Sequence, residues 1–222
     1  GLRFRSGLSA VRAGSEMASA VEFSDGTVLP ADLVALCIGT RAATELAVNA
    51  GIQVNRGIVV NEKMETSAPG IYAAGDCCEG CNLQSGQTMI IGLWANAAYQ
   101  GHTAGANMAG SSSAFRGNIL HNITHFFHMD FIGFGDNRIT GETVTFENKE
   151  KGLYVQAVLQ DHRLAGINIL GNYRISGILK NHILAVIEHG GHTISEMQRG
   201  VLLREGLSEA FLRLLEGGTY GN

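Results

Sequence analysis

The alternation of apolar and polar residues predicts β structure near the start of the chain. Residues 17–38 contain Asp25-Gly26, a strong hairpin signal between two short strands. The segment 32–38, DLVALCI, is a continuous apolar run of strand length, which predicts a strand buried on both faces.

The next segments alternate between helical and extended patterns. Residues 43–50 predict a helix, and Gly51 stands where a glycine commonly ends one. Residues 70–74, GIYAA, predict another short buried strand that ends at Gly75-Asp76.

Residues 92–109 predict a longer helix with small and apolar residues at spacings of three and four. The predicted inward stripe consists of Trp94, Ala97, Gly101, Ala104 and Met108. Glycine inside a helix is unfavourable, so we interpret Gly101 and Gly105 as allowing close packing on a neighbour.

The serine run at 111–113 marks a predicted boundary, after which the pattern changes. Residues 140–170 predict a three-strand meander with a turn at Asp161-His162, and residues 173–189 and 194–216 predict helices. Strands followed by helices indicate an α+β unit.

Composition narrows the function classes. The 222 residues are 45% hydrophobic and 16% charged, with net charge −4 and no basic cluster, which argues against nucleic acid as a partner. No apolar run is long enough to span a membrane, and no signal-peptide pattern is visible. Four cysteines, three of them bunched, do not resemble a secreted disulfide framework and favour a cytoplasmic setting.

Gly75-Asp76 is the first candidate for binding chemistry. A predicted strand that ends there places a carboxylate at the strand's carboxyl end, where open α/β sheets bind ligands. The glycine lets a ligand approach the backbone, and the carboxylate can accept hydrogen bonds from sugar-like hydroxyls. An ordinary turn is the alternative for such a dipeptide.

The surrounding sequence resembles a known family. Residues 26–76, which include TSAPGIYAAGD, are similar to the pyridine nucleotide-disulfide oxidoreductase superfamily of flavoproteins. Residues 92–110 continue the resemblance. Residues 157–183 look like the C-terminal domain of the rubredoxin reductase, nitrite reductase and NADH oxidase branch.

The resemblance implies an FAD site. The aspartate of the family's Gly-Asp motif, here Asp76, hydrogen-bonds the ribityl chain of FAD, and the glycine, here Gly75, lies beside the cofactor. The start of the following helix approaches the pyrimidine end of the flavin with backbone N–H groups and its positive end. In this sequence that region is Leu93, Trp94 and Ala97.

The resemblance also implies an NAD(P)H site and a domain order. Gly39 corresponds to a glycine near the nicotinamide nucleotide, although Ala42 replaces the usual proline close by. The expected fold class is α/β, with tail portions of two Rossmann-like dinucleotide-binding domains before an α+β C-terminal domain with an antiparallel sheet. The expected limits are 1–40 for the NAD(P)-binding part, 41–112 for the FAD-binding part and 113–222 for the C-terminal domain.

The glycine-rich turns that cradle the cofactor pyrophosphates are not found in this sequence. The chain, which begins with Gly1, is therefore expected to be a C-terminal portion with incomplete FAD and NAD(P)H sites. Weak FAD binding or none is the corresponding expectation.

The cysteines leave other possibilities open. Cys78 and Cys81 form a C-x-x-C pair with Cys77 adjacent, and Cys37 lies in the predicted buried strand. Metal binding through Cys77, Cys78 and Cys81, a thiol redox role and ordinary loop cysteines are the alternatives, of which the last is favoured because a structural metal usually needs four ligands.

Three histidines, His121, His125 and His128, have helix-like spacing that could place them around zinc. Their segment is rich in β-branched and aromatic residues, however, and an extended conformation would separate them.

The sequence therefore predicts part of an FAD-dependent NAD(P)H oxidoreductase that passes electrons to a redox protein, a partner subunit or a small molecule. No residue resembles an acid or base catalyst. The alternative is a non-catalytic assembly or dimerisation fragment, in which the last helix could contribute an interface instead of packing on its own sheet.

Overall fold

The computed structural model describes residues 4–14, 17–136, 139–190 and 193–217. The chain divides into two compact units, Gly1–Arg41 and Ala42–Asn222. The three-domain division at 1–40, 41–112 and 113–222 stays a prediction, and its outermost residues lie outside the described ranges.

The first unit contains an antiparallel sheet with strand order β1-β2-β3. Its strands are β1 (Leu8–Ala13), β2 (Ala18–Phe23) and β3 (Val28–Pro30). The predicted hairpin is confirmed: Gly26 has φ +80°, and the Asp25 carboxylate accepts the N–H of Thr27 at 2.9 Å.

The prediction of a buried strand at 32–38 is wrong for this structure. These residues form no strand, and the side chains of Leu33, Leu36 and Ile38 are 86%, 63% and 85% exposed. Cys37 is exposed as well. An apolar run becomes a strand buried on both faces only when other strands pair with its edges and helices cover its faces.

The second unit begins with α1 (Glu45–Asn49). The predicted end at Gly51 is confirmed, because Gly51 has φ +71° and donates its N–H to Val48 at 3.0 Å. The strand pair β4 (Gly80–Cys81) and β5 (Thr88–Met89) follows, and then α2 (Trp94–Met108). The small core of this region consists of Met64, Ala73, Cys78, Ala104 and Phe115.

The predicted strand at 70–74 is reduced to one isolated bridge between Glu65 and Tyr72. The chain turns at Ala68, which accepts the N–H of Ile71 at 3.1 Å, and Ile71 itself is 46% exposed. A continuous ladder needs a partner along its whole length, and this segment has one only at a single position.

Helix α2 forms as predicted but buries a different face. Trp94 and Met108 of the predicted inward stripe are 92% and 68% exposed, whereas Ala104 is buried. A side chain at Gly101 or Gly105 would meet no atom within 4 Å, so the close-packing interpretation of these glycines is wrong.

The C-terminal part confirms the predicted α+β fold. Its five-stranded antiparallel sheet has the order β6-β7-β10-β9-β8. The strands are β6 (His121–Phe126), β7 (Met129–Gly135), β8 (Glu142–Asn148), β9 (Leu153–Gln160) and β10 (Arg163–Leu170). The helices are α3 (Ser176–His189), α4 (Glu196–Arg204) and α5 (Glu209–Leu215).

The core lies between this sheet and the helices. Its fully buried apolar residues include Ile132, Val155, Ile167, Leu179 and Leu212. Buried positions alternate with less buried ones at 153–157 of β9 and 167–170 of β10, whereas 157–159 and 164–167 are buried at successive positions, so the middle of these strands is covered on both faces.

The single predicted helix at 194–216 is two helices. Gly206 has φ +111°, outside helical geometry, and ends α4. Ser208 then starts α5 by accepting the N–H of Phe211 at 3.2 Å. Leu202 of α4 and the four apolar residues Phe211, Leu212, Leu214 and Leu215 of α5 join the core of their own sheet, as the favoured packing interpretation predicts, whereas Met197 and Leu203 of α4 are exposed.

The histidine segment is extended, as its composition suggests. His121 and His125 lie on β6, whereas His128 occupies a turn with φ +65°. Among the described residues, no three His, Cys, Asp or Glu side chains are grouped to hold a metal ion. No described helix is long and apolar enough to cross a membrane.

Candidate functional site

The loop at Gly75 lies directly against helix α2. Gly75 has φ +85°, a conformation that favours glycine, and donates its N–H to Oε1 of Gln100 at 2.8 Å. A Cβ at this position would lie 3.4 Å from Cβ of Ala97. The glycine therefore allows both the turn and the approach to the helix.

The Asp76 carboxylate stands beside the backbone that leads into α2. A Cβ built on Gly92 would lie 3.6 Å from Oδ2 of Asp76, an ordinary van der Waals contact, so the glycine leaves the space beside the carboxylate unfilled. Asp76 is exposed, and within the described residues its carboxylate forms no hydrogen bond or ion pair. Both oxygens are consequently available to hydroxyl or N–H donors of a ligand.

The N-terminus of α2 is open to a ligand. Leu93 precedes the helix in an extended conformation, and no side chain caps it. The N–H of Leu93 is bonded to Ile91 at 2.9 Å, and that of Ala97 to Leu93 at 2.9 Å. The available donors are therefore the N–H groups of residues 94–96, which precede the first N–H bonded within the helix, that of Ala97.

A buried polar face of α2 supports this arrangement. Gln100 is 1% exposed and accepts the Gly75 N–H, and Asn96, also 1% exposed, donates to the Ile91 carbonyl at 3.0 Å. The amide of Asn118 in turn donates to Oδ1 of Asn96 at 3.3 Å. These bonds fix the start of α2 to the loop on one side and to the segment entering β6 on the other.

The sequence analysis missed these polar residues, although a signal for them exists. Asn96, Gln100, Thr103 and Asn107 are spaced by four, three and four, which places them on one helical face. The first three are buried. A polar stripe at helical spacing usually indicates the solvent side, so periodicity alone gives the wrong assignment here.

Glu79 anchors the other end of the loop. Its carboxylate is 4% exposed and accepts the N–H groups of Arg56 and Gly57 at 2.8 and 3.1 Å. The backbone of Ile58 also bonds to Cys77 at 2.8 Å. The loop that carries Asp76 is thus held from both sides.

The cysteines beside Asp76 do not form a ligand cluster. Cys78 is 1% exposed, and its Sγ lies 3.4 Å from the Gly75 carbonyl and 3.6 Å from Oε1 of Gln100. Cys77 instead directs its Sγ to the Ala74 carbonyl at 3.3 Å. Burial, and secondarily its acidic neighbours, raise the pKa of Cys78 to about 12, so its thiol stays protonated. The ordinary-loop interpretation is favoured, and the metal alternative finds no support among the described residues.

The loop at Gly75 and Asp76 and the start of α2, Leu93 to Ala97, thus come together as one surface. Gly39 belongs to the other compact unit, where it is exposed with φ +92°. Its assignment to the nicotinamide nucleotide stays a prediction.

Comparison with known proteins identifies the class. The family described as pyridine nucleotide-disulphide oxidoreductase matches residues 1–101. The crystal structure of an FAD-dependent pyridine nucleotide-disulphide oxidoreductase from Desulfovibrio vulgaris is 25% identical with a TM-score of 0.69, over 82% of this chain and 48% of that chain. Residues 1–101 therefore belong to the pyridine nucleotide-disulphide oxidoreductase family.

Two curated relatives are similar to parts of the chain. The assimilatory nitrate reductase electron transfer subunit of Bacillus subtilis is 34% identical over 166 residues, which are 72% of this chain and 20% of that protein. Putidaredoxin reductase CamA of Pseudomonas putida is 58% identical over 59 residues, 27% of this chain and 14% of that protein. The chain spans at most about a fifth of the length of these two relatives.

Proposed function

We propose that the chain serves in an FAD-dependent NAD(P)H oxidoreductase that passes electrons from NAD(P)H through FAD to a second acceptor. The observation that carries the proposal is the unpartnered Asp76 carboxylate beside the open N-terminus of α2. Family membership, and relatives named as an electron transfer subunit and a reductase, support the same activity.

The residues present fit part of an FAD site. Asp76 supplies acceptors for the ribityl hydroxyls, and Gly75 and Gly92 leave room for the cofactor because neither has a side chain. The N–H groups at residues 94–96 and the positive end of α2 suit the pyrimidine end of the flavin, where negative charge accumulates on reduction. FAD supplies the redox chemistry when bound; these residues bind it, orient it and favour its anionic form.

The remaining parts of the proposal rest on resemblance. Gly39 is proposed to lie near the nicotinamide of NAD(P)H. The acceptor is proposed to be a redox protein, a partner subunit or a small molecule, because the Bacillus subtilis relative is an electron transfer subunit. A cytoplasmic location is proposed from the cysteine pattern, since a reducing compartment suits free thiols.

Trp94 provides a direct test of the FAD site, since it is the single tryptophan, is 92% exposed and starts α2. Addition of FAD is expected to quench the fluorescence of Trp94 until the quenching saturates. Because FAD also absorbs light, the same titration of free N-acetyltryptophanamide provides the correction. Asp76→Asn is expected to weaken binding about tenfold or more, because hydrogen bonds to a charged group contribute about 1.5–3 kcal/mol.

Glu62→Gln is the matched control, since Glu62 is exposed and its side chain forms no hydrogen bond among the described residues. This change removes the same charge and should leave the dissociation constant unchanged. Equal affinity of Asp76→Asn and the unmodified protein, measured at FAD concentrations that saturate a weak site, would exclude this surface as a flavin site.

A second candidate function, assembly with another copy of the chain, is favoured by one observation. The β6–β7 hairpin exposes apolar side chains at its tip and edge, with Ile123, Phe126 and Phe127 at 53%, 63% and 79% exposure. Exposed apolar patches of this kind commonly mark interfaces. Sedimentation velocity is expected to show a dimer that Phe126→Ser together with Phe127→Ser dissociates; a monomer at all concentrations rejects this function.

A further inference from the structure

A cleft of about 880 Å³ opens between α2 and α3, away from the loop of Asp76. Tyr99 and His102 line it from α2, Phe115 and Arg116 from the segment before β6, and Lys180 and Glu188 from α3. Its volume is within the range of sites for small organic ligands. The cleft belongs wholly to the second compact unit.

The charge of the cleft is positive and poorly compensated. Lys180 is half-buried, and neither it nor Arg116 forms an ion pair with any described residue. The one carboxylate in the lining, Glu188, lies 3.7 Å from Nε2 of His189. A partly desolvated ammonium without a counter-ion is unfavourable in the free protein, and an anion in the cleft would relieve that cost.

The surroundings of Lys180 agree with this picture. Burial lowers the pKa of Lys180, and burial together with the Lys180 charge lowers the pKa of His121 on the neighbouring strand β6. The positive charge of Lys180 therefore disfavours protonation of His121. An anionic group between or beside them would reverse both effects.

The lining residues also suit a ligand that combines a phosphate with an organic group. Arg116 offers a planar fork of donors, and Lys180 offers a point charge, the two modes by which proteins hold phosphate. Tyr99 lines the cleft and is 57% exposed, and a side chain at Gly177 in the first turn of α3 would meet no atom within 4 Å.

We propose that the cleft between α2 and α3 binds a small organic phosphate, with Lys180 and Arg116 holding the phosphate and Tyr99 and Phe115 contacting the organic part. This site is separate from the proposed flavin surface at Asp76, and its occupancy does not depend on a flavin.

The test is an NMR titration of the ¹⁵N-labelled protein with phenyl phosphate, a probe that combines a phosphate with one ring. Saturable shifts are expected for the amides around Tyr99 and His102 and around Gly177 and Lys180. Lys180→Gln and Arg116→Gln are each expected to raise the dissociation constant about tenfold or more, as loss of a charge-assisted hydrogen bond does.

Two controls make the result specific. Lys149→Gln removes an exposed lysine outside the cleft and should leave the affinity unchanged, and Lys180→Arg should restore most of the binding. Benzyl alcohol, which lacks the charge, should bind far more weakly. The proposal would be overturned if only amides outside the cleft shift, if benzyl alcohol binds equally well, or if the dissociation constant is unchanged in both Lys180→Gln and Arg116→Gln. Because Arg116 is exposed, its replacement should not disturb folding.

Discussion

The buried carboxylate of Glu79 is predicted to determine the stability of the loop that carries Asp76. Glu79→Ala removes the acceptor of two backbone N–H groups, those of Arg56 and Gly57. Gly57 is buried, so its donor would lose its partner without access to water, whereas Arg56 is exposed and water can replace the carboxylate there. We expect the free energy of unfolding to fall by about 1.5–3 kcal/mol for the buried Gly57 bond and by about 0.5–1 kcal/mol for the Arg56 bond, or by about 3 kcal/mol in total.

The measurement is urea unfolding at neutral pH followed by far-UV circular dichroism. Glu79→Gln keeps an acceptor oxygen in the same place, so a loss of only about 1 kcal/mol is expected. Glu62→Ala truncates an exposed glutamate and should stay within about 0.5 kcal/mol of the unmodified protein.

Comparison of the three variants shows whether the hydrogen bonds of Glu79 stabilise the fold. If Glu79→Ala unfolds at the same urea concentration as Glu62→Ala, the Glu79 bonds contribute nothing to stability and the reasoning fails. If Glu79→Gln is as damaging as Glu79→Ala, the carboxylate charge is required, and the argument from the acceptor oxygen alone is wrong.

Three further outcomes are expected. Gly171→Ala should destabilise the protein more than Gly152→Ala when measured by urea unfolding. Both glycines have positive φ, but a Cβ at Gly171 would overlap the Gly152 carbonyl oxygen, whereas a Cβ at Gly152 meets nothing within 4 Å. Equal losses of unfolding free energy would contradict this. With a pKa of about 12, Cys78 should react with iodoacetamide at pH 8 only after unfolding, as peptide mass spectrometry would show, and rapid labelling of the folded protein would refute its burial. Lys180→Gln should raise the pKa of His121 in an NMR titration, since it removes a repelling positive charge; no change would show that burial alone depresses that pKa.

The lowered pKa of His121 also predicts how the stability of the fold depends on pH. Because the folded protein lowers the pKa of His121, the neutral form is favoured on folding, and the group destabilises the fold as pH falls below its unfolded value of about 6.5. The destabilisation should be smaller in Lys180→Gln, with the unfolding midpoint compared at pH 7 and pH 5.

Local chemistry made part of the fold predictable. The hairpin at Asp25-Gly26, the end of α1 at Gly51 and the three strands of the meander follow from turn residues and from alternation over a few positions. The break near Gly206 was missed because a glycine inside an apolar helical pattern does not by itself show that its φ becomes positive.

The candidate site was predictable only in outline. Resemblance pointed to Gly75 and Asp76 and to the start of α2, but the supporting residues Gln100 and Asn96 were not identified. Their polar side chains would normally face solvent, and only the carbonyl and N–H groups of the packed loop give them buried partners.

The sequence by itself determined the mixed α/β character, the turns at Asp25-Gly26 and Gly51, the positions of α1, α2 and α3, and the resemblance to the family. The tertiary structure decided which face of α2 is buried, that 32–38 forms no buried strand, and that the Asp76 carboxylate lies beside Gly92. The reason is that turns and periodicity arise from each residue's own conformational preferences, whereas burial and proximity depend on partners distant in the chain. Hydrophobicity indicates that a surface needs covering, but only the packed fold supplies what covers it.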